Sequence, residues 1–347
     1  MNAIRHELAK RGAIVMDGTS ALEPDIVLDL SSAGRSPHLL TAPQELVAWC
    51  ERKLCAALDR ARTIDPDAPA RSRAYVAVTH MGDLGLLGSA PDRVGGAVLL
   101  GLAKGVKLEL PPVLAKGIDL DPTLPPARAA ALVLDELEDG NDRLECVYTA
   151  NGKRLVVQLR HSSQSVFDDK PVRAFQPGDV FVFSGGGRGI VFECALAFAL
   201  AGGRAVVTGR TALPSALDEP TRDEVMTLDD AAFAEFRRSE LLRRRADDRT
   251  LTPARFAEQF AIVERQRELA HNLARVQKAG VDLTYRRCDV TDARAVAALA
   301  AAVEKSHGRV DGVVHGAMVE HSTSLQKKTE AVARATLRTK LAGFVNL

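Results

Sequence analysis

The stretch DVFVFSGGGRGIVFECALAFALAGGRAVVTGR, residues 179–210, decides the fold. Val180–Phe183 is a short apolar run of β type, and Ser184 to Gly189 is a glycine-rich turn. Phe192–Ala201 reads as an apolar helix stopped by Gly202-Gly203, and Ala205–Thr208 is the next strand. Strand, turn, helix and strand in this order make one βαβ unit with parallel strands. At the start of such a helix, unpaired amides and the helix dipole both favour an anion, and glycines let the backbone come close to a pyrophosphate. A plain structural loop is the alternative reading of the same glycines.

Working outward, the alternation continues in both directions. After Gly209-Arg210 the periodicity lapses over residues 215–260, a charged stretch including Arg243-Arg244-Arg245, which reads as a helical insertion with a solvated face. Thr252-Pro253 marks a helix start, and Ile262, Leu269, Leu273 and Val276 share one face of a helix ended by Gly280. Strand Leu283–Cys288, helix Ala293–Lys305 and strand Val310–Val314 follow, then a last helix from about Thr329 to Lys340. Upstream, the strand-like runs Ile26–Leu30, Tyr75–Thr79 and Val113–Ile118 alternate with helical patterns over Ala42–Leu58, Gly96–Lys104 and Pro126–Glu138. Leu144–Tyr148 and Leu155–Leu159 flank Asn151-Gly152, a hairpin signal. The sequence therefore predicts an α/β fold with two Rossmann-like parallel-sheet units in tandem: residues 1–160, a linker over 161–178, and residues 179–347.

Composition narrows the partners. The 347 residues carry 46 Lys+Arg against 45 Asp+Glu, a net charge of +1, which gives no general attraction for nucleic acid or an anionic membrane. No apolar run is long enough to span a membrane, and the opening MNAIRHELAKRG is a charged helical pattern, so a soluble cytoplasmic protein is expected. The five cysteines lack zinc spacing and read as reduced thiols, with no metal site.

The strand ending in Thr208-Gly209-Arg210 bears on which nucleotide is read. A carboxylate there would accept from a ribose 2′-hydroxyl, whereas Arg suits a 2′-phosphate. Arg210, with Arg188 in the glycine turn as a second guanidinium, points to NADP(H); a solvated strand-end residue is the alternative.

The spacing from Gly185 to Gly189 is not Gly-x-Gly-x-x-Gly. It resembles the Thr-Gly-x-x-x-Gly-x-Gly turn of short-chain dehydrogenases/reductases, with Ser184 in place of Thr and Val191 in the last glycine position. That departure predicts a helix held slightly away from its strand. Ser184–Ile190, Thr208-Gly209-Arg210, Cys288-Asp289-Val290-Thr291-Asp292, Val313-Val314-His315-Gly316-Ala317 and Thr339-Lys340-Leu341-Ala342-Gly343 together resemble the ketoreductase domain of a polyketide synthase. The charged insertion is similar to that of polyunsaturated-fatty-acid synthase ketoreductases. Val78-Thr79-His80-Met81-Gly82, Gly101-Leu102-Ala103-Lys104 and Ile118-Asp119-Leu120-Asp121 resemble the family's structural subdomain, which has lost its cofactor site.

The resemblance implies that Ser184, Gly185, Gly187, Arg188, Gly189 and Ile190 hold the pyrophosphate of NADPH. It also implies that Asp289 and Val290 bracket the adenine, although a turn or cap Asp is the other reading, with Asp292 or Thr291 the better cap. His315, Gly316 and Ala317 would pass beneath the nicotinamide ribose, His315 in a structural role. Lys340 matches the catalytic lysine, a solvated cation being its alternative.

Ketone reduction needs a hydride donor and an acid for the developing alkoxide. In the family the acid is a Tyr, helped by a Ser that hydrogen-bonds the carbonyl, both expected beyond Lys340, where only seven residues follow. Tyr75, Tyr148 and Tyr285 all lie upstream, and the positions four residues after them are Thr79, Gly152 and Asp289. The expectation is thus a C-terminally incomplete reductase, inactive alone, with an unpaired sheet edge that makes it sticky. In its intact parent it would reduce 3-oxoacyl to 3-hydroxyacyl groups on an acyl carrier protein, among other synthase domains. A non-catalytic NADP(H)-binding or scaffold module is the alternative, and a separate nucleotide site at Gly82, Gly85 and Gly88 is a weaker third.

Overall fold

The computed structural model describes residues 2–11, 13–15, 24–65, 73–82, 91–139, 141, 143–158, 175–212, 225–319 and 322–347. The chain divides into two compact units, Met1–Gln164 with Glu320–Arg338, and Ser165–Val319 with Thr339–Leu347. Most of the expected linker 161–178 therefore lies outside the described residues, as do Gly85, Gly88 and the first part of the 215–260 insertion.

The first unit follows the predicted alternation: α1 (Asn2–Lys10), β1 (Ile26–Ser32), α2 (Pro43–Arg62), β2 (Ala74–Thr79), α3 (Ala97–Glu109), β3 (Leu114–Leu120), α4 (Pro126–Glu138), β4 (Glu145–Tyr148) and β5 (Arg154–Val156). The strands lie in chain order, β1 to β4 parallel and β5 antiparallel through the turn at Gly152, whose φ is +77°. Every residue of β2 is buried, as a parallel strand covered on both faces requires. Leu58, Leu99 and Val106 cover one face, and Leu132 and Val133 of α4 the other.

Beneath α4 sits a buried ion cluster. Glu136 accepts from Lys116 Nζ at 2.6 Å, Tyr148 Oη at 2.8 Å and both Arg154 Nε and Nη2 at 2.7 Å, tying β3, β4 and β5 to α4. Burial alone would raise this carboxyl's pKa, but the hydrogen bonds from Arg154, Lys116, Tyr148 and Asn141 outweigh it and hold Glu136 well below the usual carboxylate range.

Residues 320–338 group with the first unit instead of the second, where the sequence had placed them. The reason is packing: Leu325 and Ala333 enter the core with Leu58 and Leu99, and Arg334 and Arg338 pair with buried Glu51.

The second unit comprises β6 (Val180–Ser184), α5 (Gly189–Leu200), β7 (Arg204–Gly209), α6 (Asp230–Asp247), α7 (Pro253–Ala279), β8 (Leu283–Arg287), α8 (Ala293–His307), β9 (Gly312–His315) and the end of α9 (Glu330–Asn346). Its parallel strands lie in the order β8-β7-β6-β9. Phe192 and Leu196 of α5 and Val276 of α7 pack on one face; Val296, Leu299 and Val303 of α8 pack on the other.

One helix matches the sequence reading at both ends, and one runs on past it. Helix α7 starts and ends where expected: Thr252 caps its start through Arg255 N, and Gly280, at φ +63°, closes it. Helix α9 continues past Lys340 to Asn346, which puts Lys340 in its interior. Gly343 does not stop it, because the missing side chain is what lets His315 and Val290 pack there: a Cβ would lie 2.7 and 2.9 Å from them.

Candidate functional site

In chain order the second sheet runs third, second, first, fourth, so its winding reverses between β6 and β9. Open parallel sheets bind ligands at the carboxyl ends of their strands beside such a reversal. Ser184 and His315 end these two strands and are paired in register. His315 Nε2 lies 3.0 Å from the carbonyl of Lys340, its Nδ1 lies 2.7 Å from Ser184 Oγ, and Ala317 N donates to the same Oγ at 3.2 Å. A carbonyl only accepts, so Nε2 carries the proton and Nδ1 accepts from the Ser184 hydroxyl. Burial lowers the pKa of this imidazole and keeps it neutral. Both ring nitrogens are thus spent on holding β6, β9 and α9 together.

The glycine turn separates packing from binding. Gly185, at φ +78°, faces the backbone of Ala317, 2.8 Å from where a Cβ would stand. Gly186 is pressed against Val207, and Gly187 against Tyr285. Those three glycines are explained by close packing alone. Gly189 is not: its φ is +60°, and nothing lies within 4 Å of its missing Cβ. It opens α5 with a backbone N–H that takes an anionic group, and Ile190 after it is 83% exposed.

Val191 does not hold the helix away from the strand as the sequence suggested. Gly316 gives way to it: a Cβ at position 316 would lie 2.3 Å from Val191 Cγ2. The glycine absent from the helix is supplied just beyond β9.

An anionic group already lies in this turn. Glu268 of α7 accepts from Gly189 N at 3.1 Å through Oε1 and from Arg188 Nη1 at 3.2 Å through Oε2. Beside it, Asn272 Nδ2 donates to the carbonyl of Gly187 at 3.1 Å, and Arg275 binds Glu193 of α5 through both nitrogens at 2.7 and 2.9 Å. The sequence reading missed Glu268, Asn272 and Arg275. They flank the apolar stripe of Leu269 and Val276, and no local signal ties them to a turn some eighty residues earlier.

Arg188 is therefore engaged by Glu268, whereas the guanidinium of Arg210, just beyond β7, is exposed and makes no ion pair among the described residues. Arg287 Nε donates to the Arg210 carbonyl at 3.2 Å. Thr208 is fully buried, and its hydroxyl has no hydrogen-bond partner among the described residues. A buried hydroxyl and a guanidinium, both without partners among the described residues at the end of β7, beside a helix N-terminus that already holds a carboxylate, fit a phosphorylated nucleotide. Asp289 spends Oδ1 on the amide and hydroxyl of Thr291, and Asp292 caps α8 through Arg294 N and Ala295 N. Val290 is buried in the core against α8, with its carbonyl taken by Asn346 Nδ2.

Lys340 is exposed on α9, its carbonyl held by His315. No tyrosine hydroxyl is free. Tyr75 donates to Asp29, Tyr148 to Glu136 and Tyr285 to the Thr211 carbonyl, and burial raises all three pKa values, that of Tyr285 to about 12. In the first unit the amides of Met81 and Gly82, just beyond β2, are taken by Asp119 at 2.7 and 2.8 Å, with Thr79 Oγ1 on the same carboxylate at 2.6 Å. That leaves no amide cradle at Gly82. Among the described residues no group of side chains could hold a metal ion, and no helix is long and apolar enough to cross a membrane.

Residues 244–347 match the family described as the KR domain. Over 266 residues, 74% of this chain, the sequence is 29% identical to one component of the polyunsaturated fatty acid synthase of Thraustochytrium sp., and it spans 9% of that protein's length. A shorter stretch of 75 residues, 22% of the chain, is 31% identical to polyketide synthase PksL of Bacillus subtilis and covers 2% of it. The fold matches the crystal structure of a ketoreductase domain from the bacillaene assembly line, with a TM-score of 0.59 and 16% identity over 100% of this chain and 63% of that one.

Proposed function

We propose that this chain, ketoreductase in fold and similar to KR domains in sequence, is the NADPH-binding part of a β-ketoacyl reductase domain. The observation that carries the reading is the carboxyl end of the second sheet, where the Gly189 amide after β6 already accommodates a carboxylate and Arg210 after β7 has no ion pair among the described residues. When bound, NADPH supplies a hydride to a ketone. Ser184, Gly185, Gly187, Arg188, Gly189 and Ile190 line the pyrophosphate; Arg210 binds the 2′-phosphate, and the Thr208 hydroxyl gains a partner. Asp289 keeps one carboxylate oxygen for the adenine amine, with Val290 beside it. His315, Gly316 and Ala317 form the floor, the neutral His315 fixing their position without exchanging a proton with substrate.

Lys340 stands at the same end of the sheet as a cation that stabilises a proton donor's oxygen. That donor is none of the three tyrosines, each of which is tied into the fold. The 347 residues thus bind the cofactor without turning over. In the parent the substrate is a 3-oxoacyl thioester on an acyl carrier protein, reduced to the 3-hydroxyacyl form in the cytoplasm beside other synthase domains. The tied tyrosines equally favour a second reading, a binding or scaffold module without catalysis.

Titration of the chain with NADPH and NADH, read by nicotinamide fluorescence, tests the proposal. NADPH should bind the more tightly, and Arg210→Ala should erase the difference, a change of roughly tenfold. Equal affinity for both in the unaltered chain overturns the assignment of Arg210. Consumption of NADPH with a small 3-oxoacyl thioester would overturn the claim of no turnover.

A further inference from the structure

Helix α7 delivers one carboxylate, that of Glu268, into the turn that the cofactor reading assigns to pyrophosphate. Helix α7 is anchored there independently of Glu268: Leu269 is 1% exposed against Gly187, Asn272 grips the Gly187 carbonyl, and Arg275 lies over the Phe192 ring at 5.1 Å while pairing with Glu193. Glu268 is thus carried on a fixed element and only its side chain is free to move. Its two oxygens take the Gly189 amide and the Arg188 guanidinium, the same donors that a diphosphate oxygen needs.

We propose that Glu268 is a built-in stand-in for the pyrophosphate, so that a dinucleotide binds by displacing this carboxylate and helix α7 sets the affinity of the site. The inference rests on the cofactor reading above. Both groups cannot hold the Gly189 amide, and an unmoved carboxylate beside a diphosphate is a like-charge contact. Binding therefore includes a rotation of Glu268 away from the turn and the loss of its bonds to Arg188 and Gly189. Arg188 passes from the carboxylate to the phosphate. A ligand lacking the diphosphate meets no such competition.

The test is a titration of the full chain, as wild type, Glu268→Gln and Glu268→Ala, with NADPH and separately with adenosine 2′-phosphate, which keeps the ribose phosphate and lacks the diphosphate. Removing the charge should tighten NADPH about tenfold in both variants and leave adenosine 2′-phosphate unchanged. Glu268 is half exposed, so both variants keep the fold, which circular dichroism checks. Unchanged or weaker NADPH binding by the variants overturns the proposal and makes Glu268 a support for Arg188. Equal tightening of both ligands also overturns it, in favour of a diffuse charge effect. If neither the wild type nor the variants bind either ligand, the cofactor reading itself falls and this inference falls with it.

Discussion

Ser184 and His315 show how a side chain that looks catalytic can be wholly occupied with structure. Because His315 is neutral in the fold and its pKa is lowered chiefly by burial, the unfolded chain takes up a proton near the ordinary value of about 6.5 while the folded one resists it. Its contribution to stability is therefore complete above that pH and is lost as pH falls through the lower, folded value. His80, also depressed by burial, acts in the same sense. Denaturant midpoints measured between pH 7.5 and 5 should decline on acidification, and His315→Gln should flatten part of the decline. The Val191 and Gly316 pair gives a second outcome at this scale. Gly316→Ala drives a methyl into Val191 and should cost about 1–3 kcal/mol. Adding Val191→Ala should recover much of that loss, so a double-mutant cycle in urea should show strong coupling.

Helix α7 illustrates what a local reading can and cannot reach. Its ends were legible because caps are short-range chemistry: Thr252 accepts from Arg255 N and Gly280 takes a left-handed conformation. Thr252→Ala should cost about 1 kcal/mol, and Gly280→Ala about 1–2 kcal/mol, both readable as thermal shifts. The strands were legible for the same reason, being apolar runs bounded by glycine and charge. The partners of the helix were not, because Glu268, Asn272 and Arg275 meet a turn some eighty residues earlier in the chain, and no spacing rule connects them. Likewise the glycine of the turn was sought at position 191, whereas close approach is met from β9 by Gly316. Asn272→Ala, which leaves the Gly187 carbonyl without its partner, should cost about 1–3 kcal/mol and slow recovery of the turn's amide protection in hydrogen exchange.

For the molecule as a whole, the second sheet ends on β9, which pairs only with β6 among the described residues. Val313 and Val314 point to opposite faces and are 43% and 37% exposed, with Met318 and Phe344 at 60% and 62%. An open edge with apolar groups on both faces is a template for another strand. Light scattering should show self-association that grows with concentration, and Val314→Lys should suppress it; a monodisperse wild type at high concentration would count against this view. The first unit carries a different liability. Leu325 and Ala333 complete a core otherwise built from residues 27–115. A ribosome adding roughly 5–20 residues per second reaches them about 10–40 s after β5 has been made. Throughout that interval the nascent first unit waits with its hydrophobic seat empty, a standing invitation to chaperones that a chain finishing each core in turn would not extend.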